Sequence, residues 1–138
     1  MWPGPIGVPQ GTKLGPWLFL LMINDLRPSN TKSCKFVDDT TLGEFVKREG
    51  YSRIQYAIEK VEKWSRENKL VLNGDKCKKM VIDFSKSKQP FDSIGLGSLE
   101  LERVGFAKVL GLTLSENLTW NCHVEKIITK ALSFLLFN

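Results

Sequence analysis

The chain has 138 residues, with 20 Lys plus Arg against 15 Asp plus Glu, so its formal net charge is +5. Apolar residues make up 42% and charged residues 25%, which excludes a disordered or low-complexity chain and suits one domain with a real core. The longest apolar runs, Trp17 to Ile23 and Phe134 to Phe137, fall short of the ~20 residues a membrane-crossing helix needs, so no membrane role is expected.

The chain opens on Pro3, Gly4, Pro5, Gly7, Pro9, Gly11, Gly15 and Pro16, a density that predicts a shaped loop instead of regular structure. Pro16 suits the first turn of a helix, where its missing N–H costs nothing. Trp17 to Leu26 is apolar nearly all round, so this helix is expected to be buried. Lys13 and the run to Ile23 have the outline of a signal peptide. Gly15 and Pro16 interrupt it, however, and Asn24-Asp25-Leu26 is no small-residue cleavage site, so the expected location is intracellular, cytoplasmic or nuclear, and not secreted. Cys34, Cys77 and Cys122 are widely spaced and form no CxxC, which excludes a disulfide framework and agrees with a reducing compartment.

Cys34 to Gly43 combines strand-favouring Phe36, Val37, Thr40, Thr41 and Leu42 with two aspartates, predicting a hairpin with Asp38 and Asp39 at or beside its tip. Ser52-Arg53-Ile54-Gln55 has the pattern of a capping box. Behind it Ile54, Ala57, Ile58, Val61 and Trp64 recur at helical spacing, with a Glu59–Lys63 i,i+4 pair, predicting an amphipathic helix from about Arg53 to Lys69. Leu70 to Leu72 and Met80 to Phe84 read as strands joined through Asn73-Gly74. Leu99 to Leu101 and Lys108 to Leu114 read as a further strand pair. Trp120, Val124, Ile127, Ile128, Ala131, Leu132 and Leu135 predict a second amphipathic helix, and the apolar end from Phe134 suggests partner sequence beyond it.

Adjacent side chains on a strand point to opposite faces, so Asp38 and Asp39 converge only where a turn breaks that alternation. Two carboxylates so close repel unless a cation compensates, and Mg²⁺ is commonly shared between one or two carboxylates and substrate phosphates. The same dipeptide is equally what an ordinary solvated turn contains. Gly7-Val8-Pro9-Gln10-Gly11 is either a cradle for a nucleotide or template base, or a plain entry loop. Lys76, Lys78 and Lys79 form either a phosphate-facing cluster or a solvated turn. His123, the single histidine, has no second His or paired Cys nearby, so a transition-metal site is not expected. Trp64 and Trp120 lie in apolar stripes and read as core residues.

The order of these segments carries more than any one of them. Gly7-Val8-Pro9-Gln10-Gly11, Leu14-Gly15-Pro16 and Ile23-Asn24-Asp25-Leu26 resemble reverse transcriptases of non-long-terminal-repeat retrotransposons, with jockey-like elements nearest. Phe36-Val37-Asp38-Asp39-Thr40-Thr41-Leu42 is similar to that family's motif C, and Leu72-Asn73 with Lys76-Cys77-Lys78 to its motif D. Leu110-Gly111-Leu112, Leu118-Thr119-Trp120 and His123 are similar to motif E and the start of the thumb.

The resemblance implies an α+β fold: a partial polymerase palm over residues 1–114, with a short antiparallel sheet packed on helices, and the truncated start of a thumb over 115–138. It implies an RNA template, a DNA primer and deoxynucleoside triphosphates as partners, and two Mg²⁺ ions as cofactors held by Asp38 and Asp39, with Asp38 carrying the greater share. Nucleotide and template contacts fall on Gly7, Pro9, Gln10 and Gly11. Val37, where the family usually has a small residue, falls beside the primer terminus. Proton donation to pyrophosphate falls on Lys76, with Lys78 as alternate. The resemblance says nothing of oligomeric state or of Lys13. The family's motif A aspartate precedes the glycine-proline loop, and Met1 to Ile6 contain no acid, so the expectation is a fragment of a mobile-element RNA-directed DNA polymerase that is inactive alone. A non-catalytic nucleic-acid-binding module and a non-functional truncated product are the alternatives.

Overall fold

The structure, a computed structural model, describes residues 13–28, 31–47, 50–86 and 90–136. It is mixed α+β: α1 (Gly15–Asn24), β1 (Lys32–Phe36), β2 (Asp39–Gly43), α2 (Ile54–Glu67), β3 (Gly95–Leu96), β4 (Leu99–Glu100), β5 (Phe106–Val109), β6 (Leu112–Ser115) and α3 (Asn121–Leu136). The strands pair as three separate antiparallel ladders, β1–β2, β3–β4 and β5–β6, where the expectation was one short sheet. The chain divides into two compact units, residues 1–74 with 92–100, and residues 75–91 with 101–138.

In the first unit, α1 starts with Pro in its first turn, as its missing N–H allows. The expectation of a buried helix fails. Trp17 is 69% and Leu21 71% exposed, and among its apolar side chains Ile23 is buried, because among the described residues the core lies against Phe19 and Ile23 and not against the rest of the helix. Ile23, Leu26 and Val61 form the core cluster, flanked by Phe19, Leu42, Trp64 and Leu72. Trp64 is both a packing residue and a donor, its indole N–H reaching Asp25 Oδ1 at 3.0 Å.

The helical stripe places Ala57, Ile58 and Val61 of α2 inside, as its spacing predicts. Its C-terminus closes as a Schellman motif: Lys69 has φ of 56°, Leu70 N–H donates to Ser65 O at 2.8 Å, and Lys69 N–H to Arg66 O at 3.1 Å. Its N-terminus departs from the capping-box expectation. Arg53 is the cap residue and makes no capping bond with its own side chain, while Gln55 bonds Gly95 in both directions, at 3.2 Å and 2.9 Å, tying β3 to α2. The i,i+4 ion pair on the exposed face is Lys63–Glu67, at 3.9 Å.

Neither Leu70–Leu72 nor Met80–Phe84 forms a strand. A 3₁₀ turn at Gly74–Lys76 follows the first segment. Pairing near the second is confined to one parallel bridge between Lys79 and Arg103, so no ladder propagates. The Lys108 to Leu114 segment is a hairpin and not one strand, because Leu110 and Gly111, with φ of 49° and 88°, turn the chain within it. Thr113 and Ser115 of β6 are buried. Ser115 accepts the Thr119 N–H at 3.0 Å, and His123 Nδ1 accepts the Thr113 N–H at 3.2 Å, joining β6 to α3. The predicted amphipathic helix is present as α3, with Ile127, Ile128 and Leu132 about half exposed.

Candidate active site

The β1–β2 register sets the geometry of the acidic pair. Phe36 pairs with Asp39, Lys35 with Thr40 and Cys34 with Thr41, leaving Val37 and Asp38 as a two-residue turn. Asp38 is the second turn residue and Asp39 the first residue of β2, so the pleat that would separate adjacent side chains is interrupted between them. Val37 has φ of 53° and Asp38 does not lie in the left-handed region, the sign pattern of a type II′ turn. That first position favours glycine; a β-branched residue there is strained by roughly 1–2 kcal/mol. The ladder overrides this preference, and strain of this kind clusters at functional turns.

Both aspartates are exposed, and among the described residues neither carboxylate has a hydrogen-bond or ion-pair partner. The turn therefore presents two uncompensated negative charges on neighbouring residues at the end of a paired ribbon. Carboxylate oxygens are hard donors that suit Mg²⁺, which retains waters and accepts phosphate oxygens beside one or two such ligands. Among the described residues no cluster of three or more His, Cys, Asp or Glu side chains could hold a metal. The pair fits part of a coordination shell, to be completed by other ligands.

Polar side chains hold the ribbon, one near its tip and one past the far end of β2. Lys35, on β1, donates from Nζ to Ile23 O and Leu26 O, at 2.8 Å each, where the carbonyls of α1 run out. Glu44, the residue after β2, accepts the Arg53 N–H at 2.9 Å and the Ile54 N–H at 3.2 Å, and it also accepts the Ser52 hydroxyl. Sequence reasoning passed over both residues. A lysine and a glutamate on an exposed ribbon look like solubilising charges, and their partners lie 8 to 12 positions away with no local pattern.

Val37, Asp38 and Asp39 thus share one turn. Gly7, Pro9, Gln10 and Gly11 lie outside the described residues. Lys76 ends the 3₁₀ turn and belongs to the second unit. Lys78, the alternate proton donor, is engaged by Glu102 at 2.7 Å, and that contact holds the Glu102 carboxyl below its usual range. Burial pushes the Cys77 thiol up, against the opposing charge of Lys78.

An acidic pair at a two-residue β-turn in an α+β chain is compatible with a polymerase-type protein. The chain belongs to the reverse transcriptase (RNA-dependent DNA polymerase) family, whose profile matches residues 5–114. It is similar to the RNA-directed DNA polymerase from mobile element jockey of Drosophila melanogaster, 25% identical over 137 residues that cover 91% of this chain and 15% of that protein. The chain thus spans about 15% of the length of this relative. No solved structure matches it. The family generally uses Mg²⁺ and acts on nucleic-acid templates with nucleotide substrates. No helix among the described residues is long and apolar enough to cross a membrane.

Proposed function

We propose that this chain is the part of a mobile-element reverse transcriptase that supplies the motif C carboxylates to nucleotidyl transfer, with palm sequence over residues 1–114 and the start of the thumb over 115–138. The observation that carries this reading is the Val37-Asp38 turn. It exposes two unpartnered carboxylates on neighbouring residues at the end of a paired ladder. In this reading Asp38 and Asp39 hold two Mg²⁺ ions, Asp38 bearing the larger share. When bound, the ions activate the primer 3′-hydroxyl and neutralise the triphosphate.

The chain's own residues then orient and bind. Val37, half exposed at the strained position, abuts the primer terminus. Gly7, Pro9, Gln10 and Gly11 contact the incoming nucleotide and template. Lys76 is the residue assigned to protonate departing pyrophosphate, with Lys78 as the alternate. The partners are an RNA template, a DNA primer and deoxynucleoside triphosphates. Alone, the 138-residue chain is expected not to polymerise, because two adjacent carboxylates give an incomplete clamp for in-line transfer.

The test is binding of the full chain to a fluorescent RNA–DNA primer–template, with and without Mg²⁺ and deoxynucleoside triphosphate. The expected result is a Mg²⁺-dependent component that Asp38→Asn removes and Asp39→Asn weakens. Binding that falls steeply with salt but ignores both substitutions would contradict this reading and favour a non-catalytic nucleic-acid-binding module.

A further inference from the structure

The two polar anchors of the β1–β2 ribbon have opposite charge, and each meets the helix end that suits it. The C-terminus of a helix carries partial negative charge on unsatisfied carbonyls, and the N-terminus partial positive charge on unsatisfied N–H groups. Lys35 places an ammonium on Ile23 O and Leu26 O, at the C-terminal end of α1. Glu44 places a carboxylate on the Arg53 and Ile54 N–H groups, at the N-terminal end of α2. Hydrogen bonds to charged groups are about twice as strong as neutral ones.

These bonds matter because the ribbon has little else to hold it. Within β1 and β2 only Lys35 and Leu42 are even partly buried, so apolar packing fixes the ribbon at one residue, Leu42. Lys35 lies two residues before Val37, and Glu44 follows the strand that begins at Asp39. Each strand leaving the turn is therefore fastened to a different helix.

We propose that Lys35 and Glu44 are positioning residues for the Asp38–Asp39 turn, a charge-matched pair of clamps that fixes the acidic tip by binding the two strands to opposite ends of α1 and α2. The functional part of this inference rests on the metal-binding reading of Asp38 and Asp39, whereas its mechanical part does not.

The experiment separates capping of α2 from fastening of the ribbon. Glu44→Ala removes both. Adding Arg53→Asp gives α2 an N-cap on its own chain, which restores the helix without re-tying β2. Amide exchange is read across α2 and across the β1–β2 ladder in the full chain, and Mn²⁺, as a paramagnetic stand-in for Mg²⁺, is titrated against the Asp38 and Asp39 resonances.

In the double variant, α2 should keep its protection. The ladder amides should exchange about tenfold faster, and broadening at Asp38 and Asp39 should require about tenfold more Mn²⁺, the size expected when charged hydrogen bonds are lost. Lys35→Met should loosen the ladder to a similar degree, and Lys35→Arg should largely restore it. If Arg53→Asp returns both the ladder exchange and the Mn²⁺ midpoint to parental values, Glu44 is only a helix cap and the proposal is wrong. If the parent chain shows no Mn²⁺ broadening at the pair, the metal reading fails, and ladder exchange alone still decides whether the clamp exists.

Discussion

Three hairpins among the described residues reverse through two-residue turns, and two of them, β5–β6 and β1–β2, treat their surfaces in opposite ways. The β5–β6 hairpin buries alternate residues of β6, Thr113 and Ser115, and is docked on α3 through His123 and on the preceding turn through Thr119. The β1–β2 hairpin leaves nearly every residue in solvent and is held by Lys35 near its tip and Glu44 just past β2. The turns differ as well. Leu110 and Gly111 both have positive φ, the pattern of a type I′ turn, and glycine fills the second position while Leu110 takes a positive φ without one. Val37 takes a positive φ with no glycine to ease it. A docked hairpin is stabilised by its faces. A displayed hairpin carries its information at the tip, and its scaffold must hold that tip from below.

That contrast can be broken from either side. The largest effect is expected at the docked hairpin. Ser115→Ala removes a buried hydroxyl that bonds Thr119 O and leaves the Thr119 N–H only its longer contact to Asn117 Oδ1, at 3.3 Å, which should cost about 1–3 kcal/mol in denaturant unfolding. The β1–β2 ladder should keep its amide exchange in that variant.

Next come the two turns, where single substitutions should act with opposite sign. A Cβ at Gly111 meets nothing within 4 Å, so Gly111→Ala carries a backbone cost alone, about 1 kcal/mol. Val37→Gly relieves the strained position while adding unfolded-state freedom, and should stabilise the chain by about 0.5 kcal/mol. Paired thermal melts decide the matter. A loss of stability in Val37→Gly would show that the valine side chain, and not the ladder, holds that turn.

The smallest effect belongs to the exposed Lys78–Glu102 contact. Because Lys78 depresses the Glu102 carboxyl, this contact is fully present above the ordinary carboxylate range and is lost as pH falls through the lowered value. Glu102→Gln should abolish that acid-side titration in a carboxyl NMR experiment and barely change stability at neutral pH. Cys77 runs the other way. Burial keeps its thiol protonated, so its alkylation should lag behind that of exposed Cys34 across the mildly alkaline range.

Much of this arrangement was legible in the residues themselves. Helical spacing from Ile54 to Trp64 gave the inward face of α2, and β-formers on both sides of Asp38-Asp39 gave the hairpin, because local preference and tertiary packing agree there. Where they disagree, the reading fails. Apolar composition alone predicts burial for α1, but burial depends on what the rest of the unit supplies, and Trp17 and Leu21 find no cover among the described residues. The runs at Leu70 and Met80 have strand preference but no neighbouring strand to complete a ladder, and preference without a pairing partner does not make a sheet. Ser52 and Gln55 have the capping-box spacing, yet a carboxylate from Glu44 takes the N–H groups first. The acidic pair was visible as chemistry; the clamps beneath it were not, since Lys35 and Glu44 gain meaning only when the chain brings distant helix ends to them.

The most direct test of the metal-binding turn is a Mg²⁺ titration of the full chain followed residue by residue in amide NMR spectra. Saturable shifts centred on Val37, Asp38 and Asp39, abolished by Asp38→Asn and matched at no other acidic residue, are the expected result. Shifts spread evenly over the surface carboxylates, or shifts at the turn that survive Asp38→Asn, would contradict it.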